Sequence, residues 1–227
     1  MRYNGPSMPR LLTFVLLLAC APARAQFAAQ AGEEGIGVQD GRGAFYSVTN
    51  RFGRGASYFQ VTKVSFGGAV LWNVPYNPPA DVTASVAAVD FDGNLVIAGT
   101  IKGKGRREFL VVKFLAGGSF FWKAVYEADA DPVVTALAVD PGGFIYAAAT
   151  VPEKGGSFVR MVRYGPSGAP YWGQPYRAGK TNYARLILID PAGDARVTVE
   201  TRYNDYLNTQ AQIRQVLFTT NGGVVQQ

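Results

Sequence analysis

The sequence predicts an all-β fold built from repeated sheets, and three observations carry that prediction. Trp72, Trp122 and Trp172 recur at an interval of 50 residues, as do Asp40, Asp90, Asp140 and Asp190. Short apolar runs rich in β-branched and aromatic residues flank turns containing Asp and Gly, the pattern of strands joined by tight connections. After the N-terminal segment no long apolar stripe of helical period occurs, which disfavours helical repeats. An internal period of this length marks a propeller or solenoid, because one unit alone leaves its apolar faces exposed and must pack on its neighbours.

Residues 1–25 are expected to be a secretory signal peptide. Arg2 and Arg10 precede the apolar run Leu11–Ala19, and Ala23-Arg24-Ala25 offers the small side chains a signal peptidase accepts, which places cleavage before Gln26. The apolar run is too short to cross a bilayer. The same segment also resembles a lipobox, Leu17-Leu18-Ala19-Cys20, in which Cys20 is the lipidation candidate of an outer-membrane lipoprotein. The chain is therefore expected to be exported, periplasmic or extracellular, with anchoring through Cys20 as the alternative.

Three of the 22 basic residues and none of the 16 acidic ones lie in residues 1–25, so the formal charge falls from +6 to +3 without that segment. Such a balance gives no strong electrostatic case for nucleic acid. Cys20 is the sole cysteine, so no disulfide forms within the chain and packed apolar surface must hold it together.

The remainder, residues 26–227, reads as one domain of four units, approximately 34–80, 81–131, 132–182 and 183–227. Each begins with a hairpin about a turn: Asp40 to Gly43, Asp90 to Gly93, Asp140 to Gly143 and Asp190 to Gly193. The aspartate is suited to accept a backbone N–H inside the turn, and the glycine to take positive φ. A second hairpin follows, so each unit has four antiparallel strands, the layout of a β-propeller blade. Small or aliphatic residues in the first strand, as in Thr83 to Val89, suit convergence at an axis. The last strand carries the bulk, Trp72 with Tyr76, Trp122 with Tyr126 and Trp172 with Tyr176, and each pair lies on one face. Lys63, Lys113 and Arg163 share one phase, where their stems cover apolar strand surface or their charges meet neighbouring acids.

Val89-Asp90-x-x-Gly93-x-Leu95-x-x-Ala98-Gly99-Thr100, followed by Lys113-Phe114-x-x-x-Gly118-x-x-x-Trp122, resembles the bacterial secreted β-propeller repeat, the SBBP type with seven-bladed propellers, over roughly residues 34–227. The resemblance implies fold and export, and it brings no shared catalytic residues. The last unit departs from the pattern. It has four extra residues around Tyr203 to Asn208, Leu217 at the basic position and Gln226 at the tryptophan position. Seven blades at this spacing need about 350 residues, so a closed ring of four, an open arc and half of a larger ring are the arrangements to distinguish. The outer strand at Val224 to Gln227 is expected to be completed by the segment after Gln26, which would cover an exposed edge.

The sequence contains no histidine, which excludes Ser-His-Asp and Cys-His catalysis and removes the usual zinc ligands. Carboxylate chemistry on glycans needs only two acids, with Asp81, Asp131 and Asp205 as loop candidates for a hydrolase or lyase. Asp90-Phe91-Asp92-Gly93-Asn94 opens like a calcium loop but lacks its distal glutamate, and no metal or cofactor is assigned. The expected function is a non-catalytic binding or scaffold module for a protein or polysaccharide at the cell surface. Self-association into a larger propeller is a further alternative. The binding candidates lie on the face that gathers the inter-unit connections and middle loops: Lys102, Lys104, Arg106, Arg107, Tyr126, Asp129, Asp131, Tyr176 and Tyr203.

Overall fold

The computed structural model describes residues 29–30, 35–53, 55–128, 130–205 and 208–226, and every regular element among them is a β-strand. No helix is long and apolar enough to cross a membrane. A short strand β1 (Ala29–Gln30) precedes four consecutive antiparallel sheets. The first sheet holds β2 (Ile36–Gln39), β3 (Phe45–Phe52), β4 (Ser57–Val64) and β5 (Val70–Tyr76). The second holds β6 (Val82–Val89), β7 (Leu95–Lys102), β8 (Arg107–Phe114) and β9 (Phe120–Tyr126). The third holds β10 (Val133–Val139), β11 (Ile145–Glu153), β12 (Gly156–Tyr164) and β13 (Pro170–Tyr176). The fourth holds β14 (Thr181–Ile189), β15 (Ala195–Asp205), β16 (Asn208–Phe218) and β17 (Val224–Gln226). Strands follow one another in chain order within each sheet, the meander of a propeller blade.

Alternation along each strand sends successive side chains to opposite faces, so each inner sheet serves two cores. In the second sheet Ala87, Val89, Leu95 and Ile97 pack on Ile36, Val38, Tyr46 and Val48 of the first. Its other face, with Val86, Ala88, Val96 and Ala98, packs on Leu137, Val139, Ile145 and Ala147 of the third. Ala136, Ala138, Tyr146 and Ala148 then meet Ala184, Ile187, Val197 and Val199 of the fourth. The cores join neighbours in order, and among the described residues no strand pairing links the fourth sheet to the first.

The arrangement is thus open, and the two end faces have the chemistry of ends. The free face of the first sheet carries Ser47, Thr49, Gln60 and Thr62, and Asn73 accepts hydrogen bonds from the last two. The free face of the fourth presents Arg196, Thr198 and Gln215, mixed with exposed Leu186 and Leu188. Polar terminal units of this kind are how repeat stacks end in water.

The N-terminal strand does not go where the sequence led us to expect. Ala29 lies opposite Ala87 and Gln30 opposite Val86, so β1 widens the second sheet at its inner edge to five strands. The outer strand of the fourth sheet is not completed by it: β17 pairs β16 over Val216–Phe218. On that edge Ala84 exchanges two hydrogen bonds with the Asn50 side chain, and β1 pairs just beyond it at Val86 and Ala87, where the run of small and aliphatic side chains admits another strand. Residues 1–28, which include the expected signal and Cys20, lie outside the described residues.

Candidate binding cleft at the loop end

Each sheet has two ends. At one lie the turns between its first two strands and between its last two. At the other lie the middle hairpin and the connection to the next sheet.

The turn end spends its polar side chains on the fold. Asp40 Oδ1 accepts the N–H groups of Arg42 at 3.0 Å and Ala44 at 2.7 Å. Asp90 repeats this with Asp92 and Asn94, and Asp190 with Ala192 and Asp194. Asp140 accepts from Phe144 at 2.8 Å. Gly43, Gly93, Gly143 and Gly193 close these turns at φ between 80° and 92°, where a Cβ would be strained. Lys63 lies 3.5 Å from Asp40 and Lys113 lies 2.9 Å from Asp90, all four side chains being buried. Arg163 instead stacks 3.9 Å over Phe144 and donates to the Tyr146 hydroxyl at 2.8 Å. Burial raises the carboxyl pKa of Asp140, against the hydrogen bond from Phe144 and the nearby Arg163 charge. The Asp90 carboxylate is occupied in this way, with Oδ2 also accepting from the Asn94 amide, and among the described residues no group of three or more His, Cys, Asp or Glu side chains gathers to hold a metal.

The same end locks one sheet to the next. Trp72 donates its indole N–H to the Ala116 carbonyl at 3.0 Å, Trp122 to Pro166 at 2.9 Å and Trp172 to Thr220 at 3.0 Å. Each ring also lies so close over a turn glycine (Gly118, Gly168 or Gly222) that a Cβ there would meet it within 3.3 Å. The Tyr46 and Tyr146 hydroxyls donate to the carbonyls of Gly93 and Gly193. Val96 stands at that phase in the second sheet. The fourth sheet has Arg196, Leu217 and Gln226 at the three interlocking positions, so the device stops there.

At the loop end the expected binding residues separate into three groups. Lys102 reaches Asp81 at 3.6 Å while remaining largely exposed, and Lys104 and Arg106 are exposed beside it. Arg107 turns back onto the strands and donates to the hydroxyls of Thr83 and Thr100. Asp131 accepts the Arg107 backbone N–H at 2.6 Å, as Asp81 accepts that of Ser57 at 2.7 Å one period earlier. The Ser57 N–H, with Lys102, holds the Asp81 carboxyl below the usual carboxylate range, the opposite of what a proton donor needs. Asp129 lies outside the described residues, as does the side chain of Asp205.

Tyr176 corrects an expectation: it is 3% exposed and packs in the third core, so it presents no face to a ligand. The inward phase of β13 places it there, and burial raises its hydroxyl pKa. Tyr203 is half-buried with Arg214 over its ring at 5.7 Å.

The structure gathers one expected candidate, Tyr126, with residues that the sequence reading did not single out. In the seam between the second and third sheets, Arg160 lies 5.7 Å from the Tyr126 ring and 5.2 Å from the Phe158 ring. Arg177, from the connection after β13, stacks on Phe158 at 3.9 Å and donates Nε to Glu153 at 3.1 Å. Glu153 and Lys154 come from the β11–β12 hairpin. Where this ladder reaches the surface, Ala130, Pro152, Glu153, Lys154, Phe158 and Arg177 line an open cleft of about 500 Å³. The available signal was a break in the repeat. One period earlier, positions 158, 160 and 177 correspond to Glu108, Leu110 and Glu127.

No protein-family model matches this sequence, and no curated protein is similar to it at the sequence level. Among solved structures, a protein of unknown function from Bacteroides caccae is similar at 12% identity and a TM-score of 0.47, covering 88% of this chain and 71% of that one. Pseudomonas brassicacearum lignostilbene dioxygenase is similar at 13% identity and a TM-score of 0.45, covering 91% and 68%. The tail fiber of Staphylococcus aureus phage P68 is similar at 8% identity and a TM-score of 0.31, covering 82% and 50%. The class defined by the strand order and the packed sheets is a propeller-like, all-β repeat protein.

Proposed function

We propose that this chain is an exported, non-catalytic binding or scaffold module of a bacterial cell envelope, of the secreted propeller-repeat type, which engages a protein or polysaccharide through its loop end. One observation carries the reading. Polar side chains at the turn end recur from sheet to sheet and are consumed by turns and interlocks, whereas those at the loop end, apart from the recurring Asp81 and Asp131 hydrogen bonds, differ between sheets and border an open surface. Repetition accounts for the fold, and departure from it marks where a partner is read. The signal peptide expected in residues 1–25 supports export, and the lack of histidine together with the tied carboxylates of Asp81 and Asp131 supports binding without turnover.

The test is a protein and glycan array probed with the folded chain, alongside mass spectrometry of the mature N-terminus. Retention of one partner without its chemical change, by a chain starting at Gln26 or at lipidated Cys20, is the expected result. Turnover of a glycan, or an unprocessed N-terminus, overturns it.

A further inference from the structure

We infer that the turn end is a membrane-facing surface, seated on a lipid bilayer through the apolar residues that open its outer strands. The inference goes beyond the loop-end reading and does not depend on it. Three observations carry it.

The first is what this end exposes. The outer strands β5, β9, β13 and β17 all begin here, and at one phase they carry Leu71, Phe121, Tyr171 and Val225, each between 48% and 60% exposed. Phe66, in the turn before β5, is 84% exposed. Across the eight turns of this end the exposed charged side chains are Arg42 and Asp92, of opposite sign. The middle hairpins and connections at the other end expose Lys102, Lys104, Glu127, Glu153, Lys154 and Arg177. Exposed apolar side chains gathered on one nearly uncharged end mark an interaction face.

The second is what this end withholds. Each of its eight turns closes two backbone hydrogen bonds on itself, as when Ser65 N–H donates to the Ala69 carbonyl and Gly68 N–H to that of Ser65. The turn aspartates and the indoles are bonded inward as well. A protein partner is held in part by directed contacts, roughly one hydrogen bond per 100–200 Å² of interface. A bilayer asks only that apolar groups enter and that backbone polar groups be satisfied beforehand. The turn end meets the second demand and offers little to the first.

The third is where the chain arrives. β6 runs from Val82 at the loop end to Val89 at the turn end, and antiparallel β1 sets Ala29 opposite Ala87 and Gln30 opposite Val86. The chain therefore enters β1 from the turn end. Cys20, the lipidation candidate, stands nine residues before Ala29, so an anchor there joins the molecule on its apolar side. A bilayer placed at this end leaves the loop end pointing away from it.

The experiment is flotation of the chain from Gln26, which carries no lipid, with phosphatidylcholine vesicles. Binding is expected, and raising the salt is expected to change it by less than about threefold, because no charge attraction is involved. The triple substitution Phe66→Ser, Leu71→Ser and Phe121→Ser is expected to weaken binding at least about tenfold, since affinity follows the apolar area buried. Phe52→Ser with Val133→Ser, at exposed apolar positions of the loop end, is expected to leave it within about twofold. The chain from Gln26 has no cysteine, so Leu71→Cys and Lys104→Cys each place a single environment-sensitive dye. Vesicles should shift the dye at position 71 to the blue and leave that at position 104 unchanged. Unchanged thermal unfolding of the variants separates a lost face from a lost fold. Absence of binding, loss of binding in salt, equal losses in the triple and double variants, or a blue shift at position 104 overturns the inference. So does a dimer in sedimentation that the triple substitution dissolves, which assigns the face to a second copy. Vesicle binding with an empty array keeps the membrane face and removes the loop-end partner, and an array partner without vesicle binding does the reverse.

Discussion

The second and third sheets are near copies at one end and opposites at the other. At the turn end both hold a buried aspartate, a glycine at positive φ, a buried cation and an indole N–H bonded to the next sheet. At the loop end, Glu108, Leu110 and Glu127 in one correspond to Phe158, Arg160 and Arg177 in the other. An interlock that must fit the next sheet's backbone leaves little freedom. A hairpin projecting into water leaves a great deal, and specific chemistry accumulates there.

The widest gap between the two ends is expected in stability. Trp122→Ala removes a buried indole and its bond to Pro166 and should cost about 3–5 kcal/mol in denaturant unfolding, whereas exposed Arg177→Ala should stay within about 0.5 kcal/mol. Equal costs would break the division. Next comes Asp90→Ala, which leaves the Lys113 ammonium buried without its partner and should cost about 3 kcal/mol, with part recovered by adding Lys113→Met. No recovery would mean that the turn hydrogen bonds, and not the ion pair, dominate.

Tyr146→Phe should cost about 1 kcal/mol, the value of the lost hydroxyl bonds, and make the third interlock resemble the second, where Val96 already does without one. The smallest effect expected is on pH dependence, where the two ends tilt opposite ways. The Asp81 carboxyl, held low, adds stability above its unfolded value that is lost as pH falls through the depressed one. The Asp140 carboxyl, raised by burial, contributes most below its unfolded value and loses that contribution as pH rises through the raised one. Relative to Asp81→Asn the native chain should therefore gain stability from acid to neutral pH, and relative to Asp140→Asn it should lose some. Like slopes in the two comparisons, measured by unfolding midpoints, would show that the environments do not differ as described.

The architecture was legible because its determinants are local. Asp and Gly at fixed places dictate a turn through one side chain and one φ, and alternation dictates which face of a strand is buried, so four sheets of four strands follow from spacing alone. The interlocking role of Lys63, Lys113 and Arg163 was legible only as a shared phase, since whether each meets an aspartate or stacks on a ring depends on neighbours such as Phe144. Tyr126 and Tyr176 occupy the same phase, yet one borders a seam and the other lies in a core. That difference arises from how each sheet leans on the next.

By itself the sequence determined the period, the turns and the alternation, all short-range properties of the chain. Only the tertiary structure decided that the arc stays open, that Ala29–Gln30 joins β6, and that Tyr126, Arg160, Phe158 and Arg177 meet in one seam. Those outcomes are set by which surfaces come together after the sheets twist and pack, information spread over residues far apart in the chain.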